Sequence, residues 1–302
     1  MASDLMRLDP NVLAALPNVV DVLNVQEVAR SKWAKGMRVT ARNADGTEDI
    51  SQGDLGKNAI MGEFEGTSAI HAVTPEFCPK PITWGTFKHD NDTHFYLCTF
   101  YDFAEDIMPH PESFCADLAR TISGVTAGRI SSQQELDKHS KSDERAGSKS
   151  KVLEALLSAL FDKVIPRLLK PLDITPALIH GDLWYGNASV VEGTNDKAIV
   201  YDPAAFYGHN EYELGNWRPA RNRFTKEFFD AYHSRVPKSN PVDDYDDRLK
   251  FYEMRFNLNA AALLPNQPKY LQMVVDAIME LNKTFTGCEM QDSHEIDPGQ
   301  GK

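Results

Sequence analysis

The stretch Ile179-His180-Gly181-Asp182-Leu183-Trp184-Tyr185-Gly186-Asn187 decides how this chain reads. The apolar run Ala177-Leu178-Ile179 stops abruptly at polar residues, which predicts a short buried strand delivering Asp182 into a tight loop. An asparagine follows five positions after that aspartate. Fifteen residues beyond Asn187, a second apolar run, Ala198-Ile199-Val200-Tyr201, delivers Asp202. Two strand ends therefore carry a carboxylate, an amide and a second carboxylate towards one edge of the fold.

Transfer of a phosphoryl group from Mg·ATP to a hydroxyl asks for these three groups. It needs a carboxylate near the attacking hydroxyl, an amide oxygen for one metal, and a carboxylate bridging metal and phosphates. Asp182, Asn187 and Asp202 supply those types in that order. An Asp-x4-Asn spacing followed by a strand-borne Asp is the protein-kinase arrangement. Taken singly, each residue also suits a polar turn or a strand-end cap; the joint spacing carries the inference.

Around this segment the chain reads as an ordinary globular protein. Its 302 residues are 42% hydrophobic and 25% charged, with a net charge of -12. Such an acidic surface repels nucleic acid and anionic membrane, so neither is an expected partner. Nucleotide phosphates would need cations placed locally. The widely spaced Cys78, Cys98, Cys115 and Cys288 suggest reduced, mostly buried thiols. The first residues lack a signal-peptide pattern, and no run approaches the roughly 18 apolar residues of a membrane span, so a cytosolic location is expected.

Met37 to Ala41 alternates and runs into Asp45-Gly46, a hairpin signal, yet the returning Thr47-Glu48-Asp49-Ile50 is short and polar. A helix is predicted over 63–73. Strands are predicted at Trp84 to Phe87 and at His94 to Phe100, the latter apolar on both faces. Residues 121–150 are polar enough to read as a linker. Lys151 to Leu169 is an amphipathic helix whose apolar face includes Leu156, Leu160, Phe161 and Val164, with Pro166 loosening its last turn.

The quoted loop resembles the HGDLWxGN signature of the fructosamine kinases, or ketosamine-3-kinases. The likeness continues through Tyr201-Asp202-Pro203-Ala204, Tyr207-Gly208-His209 and Glu211-Tyr212-Glu213-Leu214. Upstream it includes Gly62-Glu63, Pro79-Lys80-Pro81-Ile82 and Trp84-Gly85, and Asn216 to Phe224 looks like the fungal branch. The resemblance implies an α+β, two-lobed protein-kinase-like fold of the aminoglycoside phosphotransferase type. Residues 1–100 would form the N-terminal lobe, with a truncated sheet whose third-strand region is shortened. Residues 101–290 would form a helical catalytic lobe, and 291–302 a disordered tail.

The implied activity is ATP-dependent phosphorylation of the 3-hydroxyl of ribulosamines and fructosamines, as small ketosamines or on glycated proteins. Asp182 would be the general base, with Asn187 and Asp202 holding Mg²⁺. Trp184 would stack on the sugar or pack under the loop. His180 would neighbour the substrate or, more readily, brace the loop through backbone hydrogen bonds. Glu63 matches the helix glutamate that pairs with a third-strand lysine gripping the ATP phosphates. That lysine is missing between Gly46 and Gly53. Lys57, in a glycine-containing segment, is either its substitute or a solvated loop lysine. The departures keep two other readings open: a pseudokinase that binds without catalysis, and a kinase for a small hydroxylated metabolite.

Overall fold

The computed structural model describes residues 8–19, 21–30, 35–43, 46–124 and 151–287. The polar stretch 125–150 and the tail from 288, with Cys288, lie outside the described residues.

A short helix α1 (Pro10–Ala15) precedes three strands, β1 (Asp21–Arg30), β2 (Lys35–Asn43) and β3 (Gly46–Leu55). Helix α2 (Lys57–Val73) follows, then β4 (Pro81–Thr86) and β5 (His94–Thr99). The strands form one antiparallel sheet in the order β1-β2-β3-β5-β4. The sheet is not truncated: the returning strand runs ten residues, not four, and pairs with β2 through Asn43 opposite Gly46 and with β5 through Ile50 opposite Thr99. The polar Thr47-Glu48-Asp49 hid it, because it holds its place by ladder hydrogen bonds on both sides rather than by apolar alternation. Ile50 is its buried apolar anchor.

The sheet is covered on both faces, which explains the unbroken apolar run in β5. Phe95 and Leu97 pack with Val12, Leu16, Val39 and Ile50 under α1. Tyr96 and Cys98 turn the other way and meet Ile60 and Phe64 of α2. Arg38 of β2 bonds Asp49 at 2.6 Å and Asp102 at 3.0 Å, and lies over the Phe100 ring. It thereby fastens the sheet to the crossing segment that leads onward. That segment joins the next layer through an isolated bridge between Phe103 and Val191.

The remainder is mainly helical: α3 (Pro111–Ser123), α4 (Lys151–Ala159), α5 (Ile165–Leu169), α6 (Glu211–Gly215), α7 (Lys226–His233), α8 (Tyr245–Leu263) and α9 (Lys269–Thr286). Between α4 and α5 the helix widens into a π-turn over Leu160–Val164. Pro166 lacks the N–H that would continue the regular ladder, so the chain loosens just ahead of it. The widened turn carries Phe161 off the apolar face, and it is 61% exposed while Leu156, Leu160 and Val164 are buried. Two small antiparallel pairs complete the fold: β6 (Ala177–Ile179) with β9 (Phe206–Gly208), and β7 (Ala188–Val190) with β8 (Ala198–Val200). Cys78, Cys98 and Cys115 are buried, and no disulfide forms among the described residues. Among the described residues no helix is long and apolar enough to cross a membrane.

Candidate active site

Asp182 stands just beyond β6, and Asp202 just beyond β8. Their strands belong to separate pairs, so neither ladder joins them directly. The loop does: the Tyr201 N–H donates to the Asn187 carbonyl at 3.1 Å, and His180 Nε2 meets the Tyr201 carbonyl at 2.9 Å. The Asn187 amide donates to the Asp182 carbonyl at 2.9 Å and to its carboxylate at 3.3 Å. Asn216 reaches the other carboxylate oxygen at 3.4 Å. The expected trio is thus assembled in one place.

Backbone geometry explains both glycines of the loop. Gly181 has φ +80°, and a Cβ there would lie 2.3 Å from the Ala204 carbonyl oxygen. A Cβ on Gly186 would strike the Trp184 ring at 2.5 Å. Trp184 therefore packs over Gly186 and edge-on against Tyr185, at 4.9 Å, while staying half-buried. His180 is 2% exposed and lies beneath the loop, so it braces the site rather than lining the acceptor side. Burial pushes its pKa down to about 4, which keeps the ring neutral; the acceptor Tyr201 oxygen places the proton on Nε2.

Glu213 went unassigned in the sequence and proves central to the loop. Fully buried, it accepts the His180 N–H at 2.5 Å and the Gly181 N–H at 3.2 Å, and also takes that of Leu183. Burial raises its pKa to about 7, opposed by those backbone donors. Its signal in the sequence was its place in the Glu211-Tyr212-Glu213-Leu214 run that carries the family likeness. Its neighbour Glu211 is fully buried too, in a salt bridge to Arg248 at 2.7 Å that fastens α6 to α8.

Burial and then the field of Asp202 raise the pKa of Asp182 to about 6, and the Arg255 charge, Asn187 and Asn216 hold it from going higher. At neutral pH it is a carboxylate able to take a proton. Glu63 of α2 does reach the centre, but it meets Asp202 rather than a lysine. Burial and this contact raise Glu63 to about 8, and Asp202 also lies above the usual range through burial. Glu63 carries the proton and donates it to the Asp202 carboxylate. Among the described residues, no cation pairs with Glu63.

Lys57 does not pair with Glu63. It is not in a loop but is the first residue of α2, exposed, and six residues from Glu63. At the helical rise that is about 9 Å along the axis.

The donor set suits a hard divalent cation. Asp202 offers a carboxylate. Asn187 spends its N–H on Asp182, and no donor among the described residues bonds its Oδ1. Among the described residues no three His, Cys, Asp or Glu side chains gather as a metal cage. Mg²⁺ does not ask for one, since it takes one or two carboxylates together with phosphate oxygens and water.

The family model described as fructosamine kinase matches residues 126–283. The mouse ketosamine-3-kinase is 43% identical over 95 residues, 32% of this chain and 28% of that protein. The chloroplastic protein-ribulosamine 3-kinase of Arabidopsis thaliana is 31% identical over 132 residues, 43% of this chain and 36% of that protein. The chain thus spans about a third of the length of these curated relatives.

Likeness to solved structures extends further. A Haemophilus somnus crystal structure bearing the name fructosamine-3-kinase superposes with a TM-score of 0.62 at 14% identity, covering 86% of this chain and 92% of that one. Aminoglycoside phosphotransferase APH(4)-Ia, in a ternary complex with AMP-PNP and hygromycin B, gives 0.56 at 13% identity, covering 92% and 97%. At these identities the likeness shows the fold: two-lobed, α+β and kinase-like.

Proposed function

This chain belongs to the fructosamine kinase family, and from that premise and the site geometry we propose that it phosphorylates the 3-hydroxyl of ketosamines with ATP. The observation that carries the proposal is the Asp182 carboxylate held by the Asn187 and Asn216 amides beside Asp202. Asp182 receives the proton of the sugar hydroxyl as its oxygen attacks the γ-phosphorus; the bond from that phosphorus to the bridging oxygen breaks and ADP leaves. Glu213 keeps the loop backbone in register, so that Asp182 faces the acceptor. Asn187 Oδ1 and Asp202 would hold Mg²⁺, which supplies the positive charge that offsets the phosphates.

That supply matters more here than in a lysine-bearing kinase. Arg38 spends its charge on Asp49 and Asp102, and the Asp182 and Asp202 carboxylates leave the site acidic. A nucleotide without metal would meet net repulsion. Trp184 remains partly open beside the loop, available to stack on the sugar. Ketosamines on glycated proteins and small ketosamines are both within this reading.

The test is ADP release dependent on a ribulosamine, with Asp182→Asn as the control. Wild-type turnover that vanishes in the variant supports the proposal, and absence of ketosamine-dependent turnover rejects it. One observation favours a second reading, a binding protein without catalysis: Glu63 is hydrogen-bonded to Asp202, and no lysine among the described residues pairs with it. Nucleotide-dependent thermal stabilisation without ADP release is its signature.

A further inference from the structure

We propose that Arg255 anchors a carboxylate on the acceptor, so that this site selects ketosamines whose amine component bears a free carboxylate a few bonds from the reacting hydroxyl. The inference rests on the kinase reading above and narrows its substrate class.

The case starts from what each arginine around the acceptor side is doing. Arg218 is paired with Glu253 at 3.0 Å, and Arg221 donates to Asn257 at 2.6 Å. Arg223 is paired with Asp106 and lies over the Tyr185 ring, and Arg248 is buried against Glu211. Arg255 alone of this group has neither a hydrogen bond nor an ion pair with any described residue, and it is exposed. A chain with a net charge of -12 has abundant carboxylates with which to quench a surface arginine. Among the described residues none pairs with this one, beside the catalytic carboxylate.

Its position follows from the packing of α6 on α8. The Tyr212 ring sits between Tyr252 and Phe256, at 5.5 and 5.2 Å. Arg255 is three residues after Tyr252, hence on the same side of α8 and one turn further along. From there its charge reaches Tyr212 and Asp182. Arg255 thus neighbours the catalytic carboxylate. A guanidinium presents a planar fork of donors that matches a carboxylate bidentately, and it cannot shed its charge. An amino acid joined through its α-nitrogen to the sugar would carry such a carboxylate within reach of Arg255 while its 3-hydroxyl lies at Asp182.

The test compares two small ketosamines, the fructosamine of glycine and that of glycinamide, by calorimetric titration into wild-type protein, Arg255→Ala and Arg255→Lys. Wild type is expected to bind the carboxylate form roughly tenfold to a hundredfold more tightly, the range for a charge-assisted pair. Arg255→Ala should bring the two affinities together without changing that for the amide, and Arg255→Lys should restore part of the difference. Equal wild-type affinities overturn the inference. So does an alanine variant that weakens both ligands alike, the signature of an arginine that only tunes Asp182. Turnover of the amide by wild type reports separately on the kinase reading. Turnover without carboxylate preference rejects the anchor alone, and preference in binding without turnover rejects catalysis alone.

Discussion

Replacing Glu213 with alanine should loosen the loop that carries Asp182, by an amount the structure allows to be bounded. The glutamate takes the backbone N–H groups of His180, Gly181 and Leu183, all within a fully buried setting. Orphaning a buried donor costs about 1 to 3 kcal/mol, and water entering the space left by the side chain recovers part of the sum. A loss of about 3 to 5 kcal/mol is expected, a large share of the 5 to 15 kcal/mol that holds a typical domain together. The pH dependence sharpens the prediction. The pKa of Glu213 rises from 4.5 to about 7 on folding, so its contribution is fully present below pH 4.5 and is lost as pH climbs through 7. That loss amounts to about 3 kcal/mol.

The gap between wild type and Glu213→Ala should therefore be largest near pH 5 and should narrow by pH 8. Urea denaturation followed by circular dichroism at the two pH values measures it, and kcat of the folded variant should fall at least tenfold. A stability loss below about 1 kcal/mol at pH 5, or a gap that widens with pH, would refute the assigned role.

Other expectations follow from the same geometry. Asp182 must be ionised to accept a proton and its pKa is raised to about 6, so the rate should climb with pH through about 6. A rate that is flat across that range would exclude Asp182 as the base. Glu63→Gln should make the metal-free protein more stable than wild type at pH 8, by more than about 1 kcal/mol, because the wild-type glutamate loses stability as pH rises from 4.5 to about 8. Thermal melts at pH 5 and pH 8 would show it, and an unchanged pH slope in the variant would count against the Glu63–Asp202 pairing. Lys57→Ala should leave nucleotide affinity unaltered, since Lys57 is exposed at the start of α2. A marked loss of affinity on calorimetry would restore it as the phosphate-gripping cation.

The site was more legible in the sequence than its supports were. Asp182, Asn187 and Asp202 could be read because strand-borne polar residues at fixed spacing leave a local trace. Glu213 could not, since its partners are backbone N–H groups of a loop at least thirty residues away. The third strand was hidden for a related reason: its neighbours β2 and β5 hold it by backbone ladders, while its own side chains are largely polar. Once that strand is in place through Leu55, the helix begins directly after Gly56, which is why Lys57 belongs to α2 and not to a loop. Phe161 misled because helical periodicity assumes a regular ladder, and the π-turn before Pro166 breaks the phase.

The metal dependence of nucleotide binding probes the centre most directly. ADP should be titrated calorimetrically with Mg²⁺ and with EDTA into wild type, Asp202→Ala and Asp182→Asn. The cleft described here predicts tight binding by wild type only with Mg²⁺, retention of that dependence in Asp182→Asn, and its loss in Asp202→Ala. Binding by wild type that is indifferent to metal, or an Asp202→Ala variant that behaves as wild type, would contradict the assignment of these side chains to a phosphoryl-transfer site.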